Sequence, residues 1–171
     1  MTTQLILSAP QAIVVFAAAG LGDVLWTPQN EAVARGRISN VWDRGAGHLP
    51  VRHRWLASCR WVATPAANDR FSLWLITADA LATPALTDAA LTFGDAELTT
   101  ESELIANCQE FGTVLATAVD KLFLTSGIID LYSRYVAIAA WNGSATKALT
   151  NTAGDFFCRM EPMPPALQAP V

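Results

Sequence analysis

The groups most able to do chemistry in this chain are two histidines, three cysteines and the polar run Asp43-Arg44-Gly45-Ala46-Gly47-His48. A carboxylate, a guanidinium and an imidazole this close together could form a polar site. The sequence shows neither a positioned partner for His48 nor a substrate pocket, so the run reads as a loop with an Asp-Arg pair. His53 shares a strand face with Trp55, Cys59 and Trp61, where a hydrogen-bonded core histidine is expected rather than a catalytic base. Cys59, Cys108 and Cys158 are widely spaced and odd in number, which fits buried free thiols better than a disulfide framework or a zinc site. Gly20-Leu21-Gly22 opens like a phosphate-binding loop. Leu25 stands where the third glycine should be and no βαβ pattern follows, so a turn between strands is expected. Asp88, Asp95, Glu97, Glu101 and Glu103 lack the alternating ligand spacing of a calcium loop. The chain has no GxSxG elbow. These readings assign no catalytic residue, cofactor or metal, and the chain is expected not to be an enzyme.

The elements that would position these groups are strands. Residues 51–63 alternate, with His53, Trp55, Ala57, Cys59 and Trp61 on one side and Arg52, Arg54, Ser58 and Arg60 on the other, as in a half-buried strand. Residues 70–78, RFSLWLITA, follow the turn-like stretch 65–69, and the two segments are expected to form an antiparallel hairpin with a shared aromatic face. Further strands are expected at 36–42, 112–119, 122–131, 135–141 and 156–160, with one or two more in the N-terminal runs. Ser126-Gly127 reads as a bulge or bend, and Asn142-Gly143-Ser144, formally a glycosylation sequon, as a hairpin turn. The Ala/Thr/Asp-rich stretch 81–103 reads as an excursion between strands. At its end Thr100 and Glu103 have capping-box spacing ahead of Leu104, Cys108 and Phe111, which predicts a short helical turn. The proline-rich tail reads as an extended arm.

Many short strands with turn signals between them predict an all-β, antiparallel β-sandwich, with a jelly roll as one arrangement the spacing allows. The 171 residues suit one domain: N-terminal arm or strands over 1–35, a sandwich body over 36–161 and a C-terminal arm over 162–171. Hydrophobic residues make up 52% of the chain and charged residues only 15%, against roughly 25% in an average domain, so disorder is not expected and surface needs covering. A net charge of -4 argues against a nucleic-acid-binding role. The N-terminal apolar runs lack the basic start of a secretory signal and the length of a membrane span, so the chain is read as soluble and unprocessed.

Four segments carry a family resemblance: GRISNVWDRGAG (Gly36 to Gly47), HRWLASCRW (His53 to Trp61), SRYVAIAAWNGS (Ser133 to Ser144) and PMPP (Pro162 to Pro165). In that order they resemble a family of small structural proteins encoded by tailed bacteriophages near their head genes. The resemblance covers most of the chain from Gly36 onward; the longer Ala/Thr-rich middle loop departs from the family pattern. It implies a head decoration or cement protein with a sandwich or jelly-roll body, made in the host cytoplasm and bound to the outer capsid surface. The implied partners are the major capsid protein and further copies of the chain, as dimer or trimer, with no nucleic acid and no membrane. It carries over no catalytic residues. Contacts are expected from Trp26, Asp43, Arg44, His48, Arg52, Arg54, Arg60, Pro164 and Pro165. Two alternatives stand beside this reading: a tail, baseplate or head-fibre component, and a carbohydrate-binding sandwich that stacks sugars on exposed tryptophans.

Overall fold

The computed structural model describes residues 12–46, 49–78, 94–117 and 122–163. In chain order these form β1 (Val14–Ala17), β2 (Val24–Leu25), β3 (Arg35–Ile38), β4 (Trp42–Asp43), β5 (Arg52–Arg60), β6 (Arg70–Ala78) and β7 (Ala96–Leu98). The helix α1 (Ser102–Asn107) follows, then β8 (Gln109–Leu115), β9 (Leu122–Asp130), β10 (Tyr135–Asn142) and β11 (Phe157–Pro162). One sheet has the order β2-β1-β11-β5-β9; the other has β7-β3-β10-β6-β8, with β4 pairing β10 beside β3. The chain is an all-β sandwich. With the short β2, β4 and β7 set aside, the strands pair first with last, second with second-last and so on inward, β1 with β11, β3 with β10, β5 with β9 and β6 with β8. That is the order left when a long two-stranded ribbon is rolled up, a jelly roll.

Alternation decides what fills the space between the sheets. Phe16, Trp42, Trp55, Trp61, Phe71, Leu73, Ile138 and Met160 point inward from both sheets into one cluster. Aromatic rings meet edge to face, Trp61 with Phe71 at 6.4 Å and Trp55 with Phe111 at 5.1 Å between centroids. The six-stranded sheet is buried on its other face too. There Leu98 of β7 and Leu104 of α1 pack with Ile38, Trp74, Ile76 and Trp141, which is why every residue of β10 after Tyr135 is buried. The five-stranded sheet is covered on its outer face only at one end, where Ser58 is buried and donates to the Asp155 carbonyl; no apolar layer of the described residues packs over β9. No helix of the described residues is long and apolar enough to cross a membrane.

Several sequence expectations change. β5 and β6 do not form a hairpin: they lie in different sheets, and their shared aromatic face meets across the core instead of side by side. Asn142-Gly143-Ser144 is not a hairpin turn, because β10 and β11 also belong to different sheets. Asn142 is buried, and its amide is consumed by the crossing: Trp61 Nε1 donates to Oδ1 at 3.0 Å, and Nδ2 donates to the carbonyls of Ala32 (3.0 Å) and Lys147 (2.9 Å). Ser126-Gly127 makes no bulge, since the β5–β9 register runs unbroken through it. Gly127 is required there by the Trp55 indole, which would lie 2.9 Å from an added Cβ. The capping box is absent, for Glu101 occupies the N-cap without a side-chain cap and its carboxylate pairs with Arg70. The ladder runs on to Pro162, so the tail starts later than composition suggested.

Candidate interface on the outer sheet face

The open face of the five-stranded sheet is built from alternate residues of three neighbouring strands. β5 contributes Arg52, Arg54, Leu56 and Arg60, with Ser58 of the same row buried beneath the Asp155 turn; β9 contributes Leu122, Leu124, Ser126, Ile128 and Asp130; β11 contributes Arg159 and Glu161. Register places them in rows: Arg52 beside Asp130, Arg54 between Ile128 and Glu161, Leu56 between Ser126 and Arg159, and Arg60 beside Leu122. The aliphatic side chains are left in solvent, with Leu122 51%, Leu124 64% and Ile128 61% exposed. Contiguous apolar surface of this kind marks an interaction site more often than scattered exposed leucines do.

Arginines frame the stripe, and each is steadied by a carboxylate. Arg52 meets Asp130 at 3.1 Å, Arg54 meets Glu161 at 2.8 Å, and Arg60 meets Asp155 at 3.4 Å. Arg159 shares Glu161, already held by Arg54, at 3.6 Å. Two guanidiniums on one carboxylate leave a local positive charge. The hydrogen bond from Arg54 holds the Glu161 carboxyl below its usual range, and that from Arg52 does the same for Asp130, so both pairs are ionised at neutral pH. A depression of roughly 240 Å³ opens between the rows, lined by Arg54, Trp55, Leu56, Ser126, Arg159 and Glu161. On β9 it is bordered by Ser126, the one small outward-facing residue between Leu124 and Ile128. Its lining offers fixed charge and apolar contact.

The sequence-predicted interface residues are only partly brought together. Arg52, Arg54 and Arg60 do share this face. Trp26 is fully buried and donates through Nε1 to the Arg37 carbonyl, so its side chain is part of the core. Arg44 is also buried, with guanidinium hydrogen bonds to the carbonyls of Leu131, Ser133 and Pro50. It does not pair with Asp43, which instead meets Arg134 at 2.7 Å; the Arg134 hydrogen bond, helped by the Gly45 N–H, draws the Asp43 carboxyl down to about 2. His48, Pro164 and Pro165 lie outside the described residues.

The other chemistry-bearing groups lie off this face. His53 is buried, its Nδ1 3.0 Å from the Val51 carbonyl and its ring edge-on to Trp42, and burial lowers its pKa. Burial also raises the thiols, Cys108 to about 11 and Cys59 and Cys158 further, so none is a ready thiolate. Asp95 accepts from Thr27 and Arg37 rather than standing free for a cation. All six tryptophans are buried, which removes the stacking platforms a carbohydrate-binding reading called for.

Sequence reasoning missed Leu122, Leu124 and Ile128. The signal was present: LFLTSGIID is apolar on both of its faces, whereas 51–63 is apolar on one. No protein-family model and no curated protein matches the chain.

Proposed function

We propose that the chain is a non-enzymatic structural protein of a virion, which binds the outside of a phage capsid lattice through the open face of its five-stranded sheet. The observation that carries the reading is the contrast between the two sheets. One is covered on both sides by its own chain, while the other presents exposed Leu122, Leu124 and Ile128 framed by carboxylate-steadied arginines. Apolar centre and arginine border are the ingredients of a protein interface. The sequence resemblance to phage head proteins supplies the partner, the major capsid protein. Binding the assembled lattice more tightly than the free subunit would stabilise the shell by mass action, and repetition over many sites multiplies a modest contact.

The test is co-sedimentation of the purified protein with undecorated phage heads and, separately, with the free capsid subunit. Saturable binding to heads alone, at a copy number matching one lattice position, is the expected outcome. No binding to heads overturns the reading, and binding to purified tails instead would move the protein to the tail or baseplate.

A further inference from the structure

The same sheet has an edge as well as a face, and the edge is unlike the others. β2 has two residues and β7 three, with exposed Glu97 at its centre. β8 carries exposed Gln109 and Glu110, and its register against β6 shifts beside Trp74. Short strands, charges and bulges are how natural proteins prevent edges from pairing. β9 has none of these along most of its length. It runs Leu122–Asp130 in unbroken register with β5, its only strand partner among the described residues, and its sole charge is Asp130 at the end.

Hydrogen-bond parity shows what this edge offers. Leu131 N–H donates to the Val51 carbonyl at 2.8 Å in continuation of the β5–β9 register. Odd-numbered residues of β9 therefore turn their backbone groups toward β5. Leu122, Leu124, Ser126, Ile128 and Asp130 turn theirs outward, and these are the same residues whose side chains lie on the open face.

The residue pattern is symmetric about Ser126: large residues at 122–124, small ones at 125–127, large ones again at 128 and 129. We infer that β9 pairs antiparallel with β9 of a second copy of the chain, about a two-fold axis at Ser126, joining the two five-stranded sheets edge to edge. In this register each Leu124 lies directly opposite Ile128 of the second copy, and Ser126 lies opposite Ser126. Leu56, which neighbours Ser126, adds a third aliphatic from each copy around the axis. Charge is complementary at both ends. Asp130 faces Leu122 of the second copy, whose neighbour on β5 is Arg60, so a carboxylate and a guanidinium share a row across the seam and no like charges oppose. A register shifted by one residue would match outward backbone groups with groups already bonded to β5. The interface is isologous and closes on itself. It uses the edge and leaves the arginine-framed face available, so it stands whether or not that face meets a capsid.

One strand seam is narrow beside the roughly 1,000 Å² of a stable complex, so the dimer is expected to be concentration-dependent in the micromolar range. Ser126→Cys provides a direct test in a Cys108→Ser background, since Cys59 and Cys158 are buried. Hydrogen-bonded partners in an antiparallel pair have Cα atoms about 5.5 Å apart, within disulfide range. Mild oxidation is expected to give a covalent dimer. By sedimentation velocity the native chain should shift from monomer to dimer as concentration rises. Leu124→Lys with Ile128→Lys should weaken association at least about tenfold, and Leu124→Lys with Ile128→Glu should restore it, because only this register sets residue 124 against residue 128. A native chain that stays monomeric to about 200 µM overturns the inference. So does a dimer that persists while Ser126→Cys fails to cross-link.

Discussion

Glu31 is a buried carboxylate whose salt-bridge partner is better engaged elsewhere. Arg37 lies 3.6 Å from Glu31 but binds Asp95 at 3.1 Å. Burial therefore dominates, and with Glu97 and Asp95 adding repulsion against Arg37 and Arg35, the Glu31 carboxyl is pushed up from 4.5 to about 7. A carboxyl raised on folding holds a proton that the unfolded chain has released, so its contribution to stability is largest below about pH 4.5 and falls as pH rises toward 7. Glu31→Gln should accordingly stabilise the fold at pH 8 by about 1 to 2 kcal/mol, after discounting for solvent screening, and have little effect at pH 4. Urea unfolding at the two pH values checks this; an equal effect at both would contradict it. Asn142 is the complementary case, a buried amide whose partners are supplied by three separate segments. Asn142→Ala would strand the Trp61 N–H and two carbonyls and is expected to cost about 2 to 4 kcal/mol in chemical denaturation.

At the scale of elements, the two edge strands β8 and β9 close over the Trp55 indole. Cβ atoms added at Gly112 and Gly127 would lie 2.5 and 2.9 Å from that ring, so both glycines are there to let the strands approach. Gly127→Ala should lose about 1 to 3 kcal/mol through overpacking. Trp55→Phe shortens the ring and removes an indole N–H that has no hydrogen-bond partner among the described residues. The double variant should recover part of the loss, a non-additivity that a thermal-unfolding cycle would read directly. The strand spans were largely legible in the sequence, because an alternating run such as 51–63 leaves few other conformations that bury Trp55 and Trp61 together. The pairings were not. Nothing local distinguishes a partner beside β5 in the same sheet from one across the core, and β6 turned out to be the latter.

For the whole molecule, the unequal covering of the sheets matters most. Helix α1, packed with Leu98 of the edge strand β7, closes the outer face of one sheet, and the other presents its arginines to solvent. On the proposed function, Arg54→Gln with Arg159→Gln should reduce occupancy of phage heads about tenfold while leaving the far-ultraviolet circular dichroism unchanged, since both side chains are exposed and their ion pairs contribute little to folding. Unchanged occupancy would exclude this face as the lattice contact. Edge pairing through β9 would place two such faces side by side, doubling the contacts made by each bound unit.

Composition and alternation by themselves determined that this chain folds as a β-sandwich, that His53, Cys59 and Cys158 are buried, and that arginines line one side of β5, whereas Cys108 is only half-buried. These are properties of a residue and its near neighbours, set by the two-residue period of a strand. Tertiary structure alone decided that Trp26 and Arg44 are buried, that Asp43 pairs with Arg134, and that Leu122, Leu124 and Ile128 are exposed. Whether an apolar strand face is covered depends on segments far away in sequence. Leu104 of α1 packs over the outer face of β10, with Leu98 of the edge strand β7 in the same cluster, and none of the described residues folds over the outer face of β9.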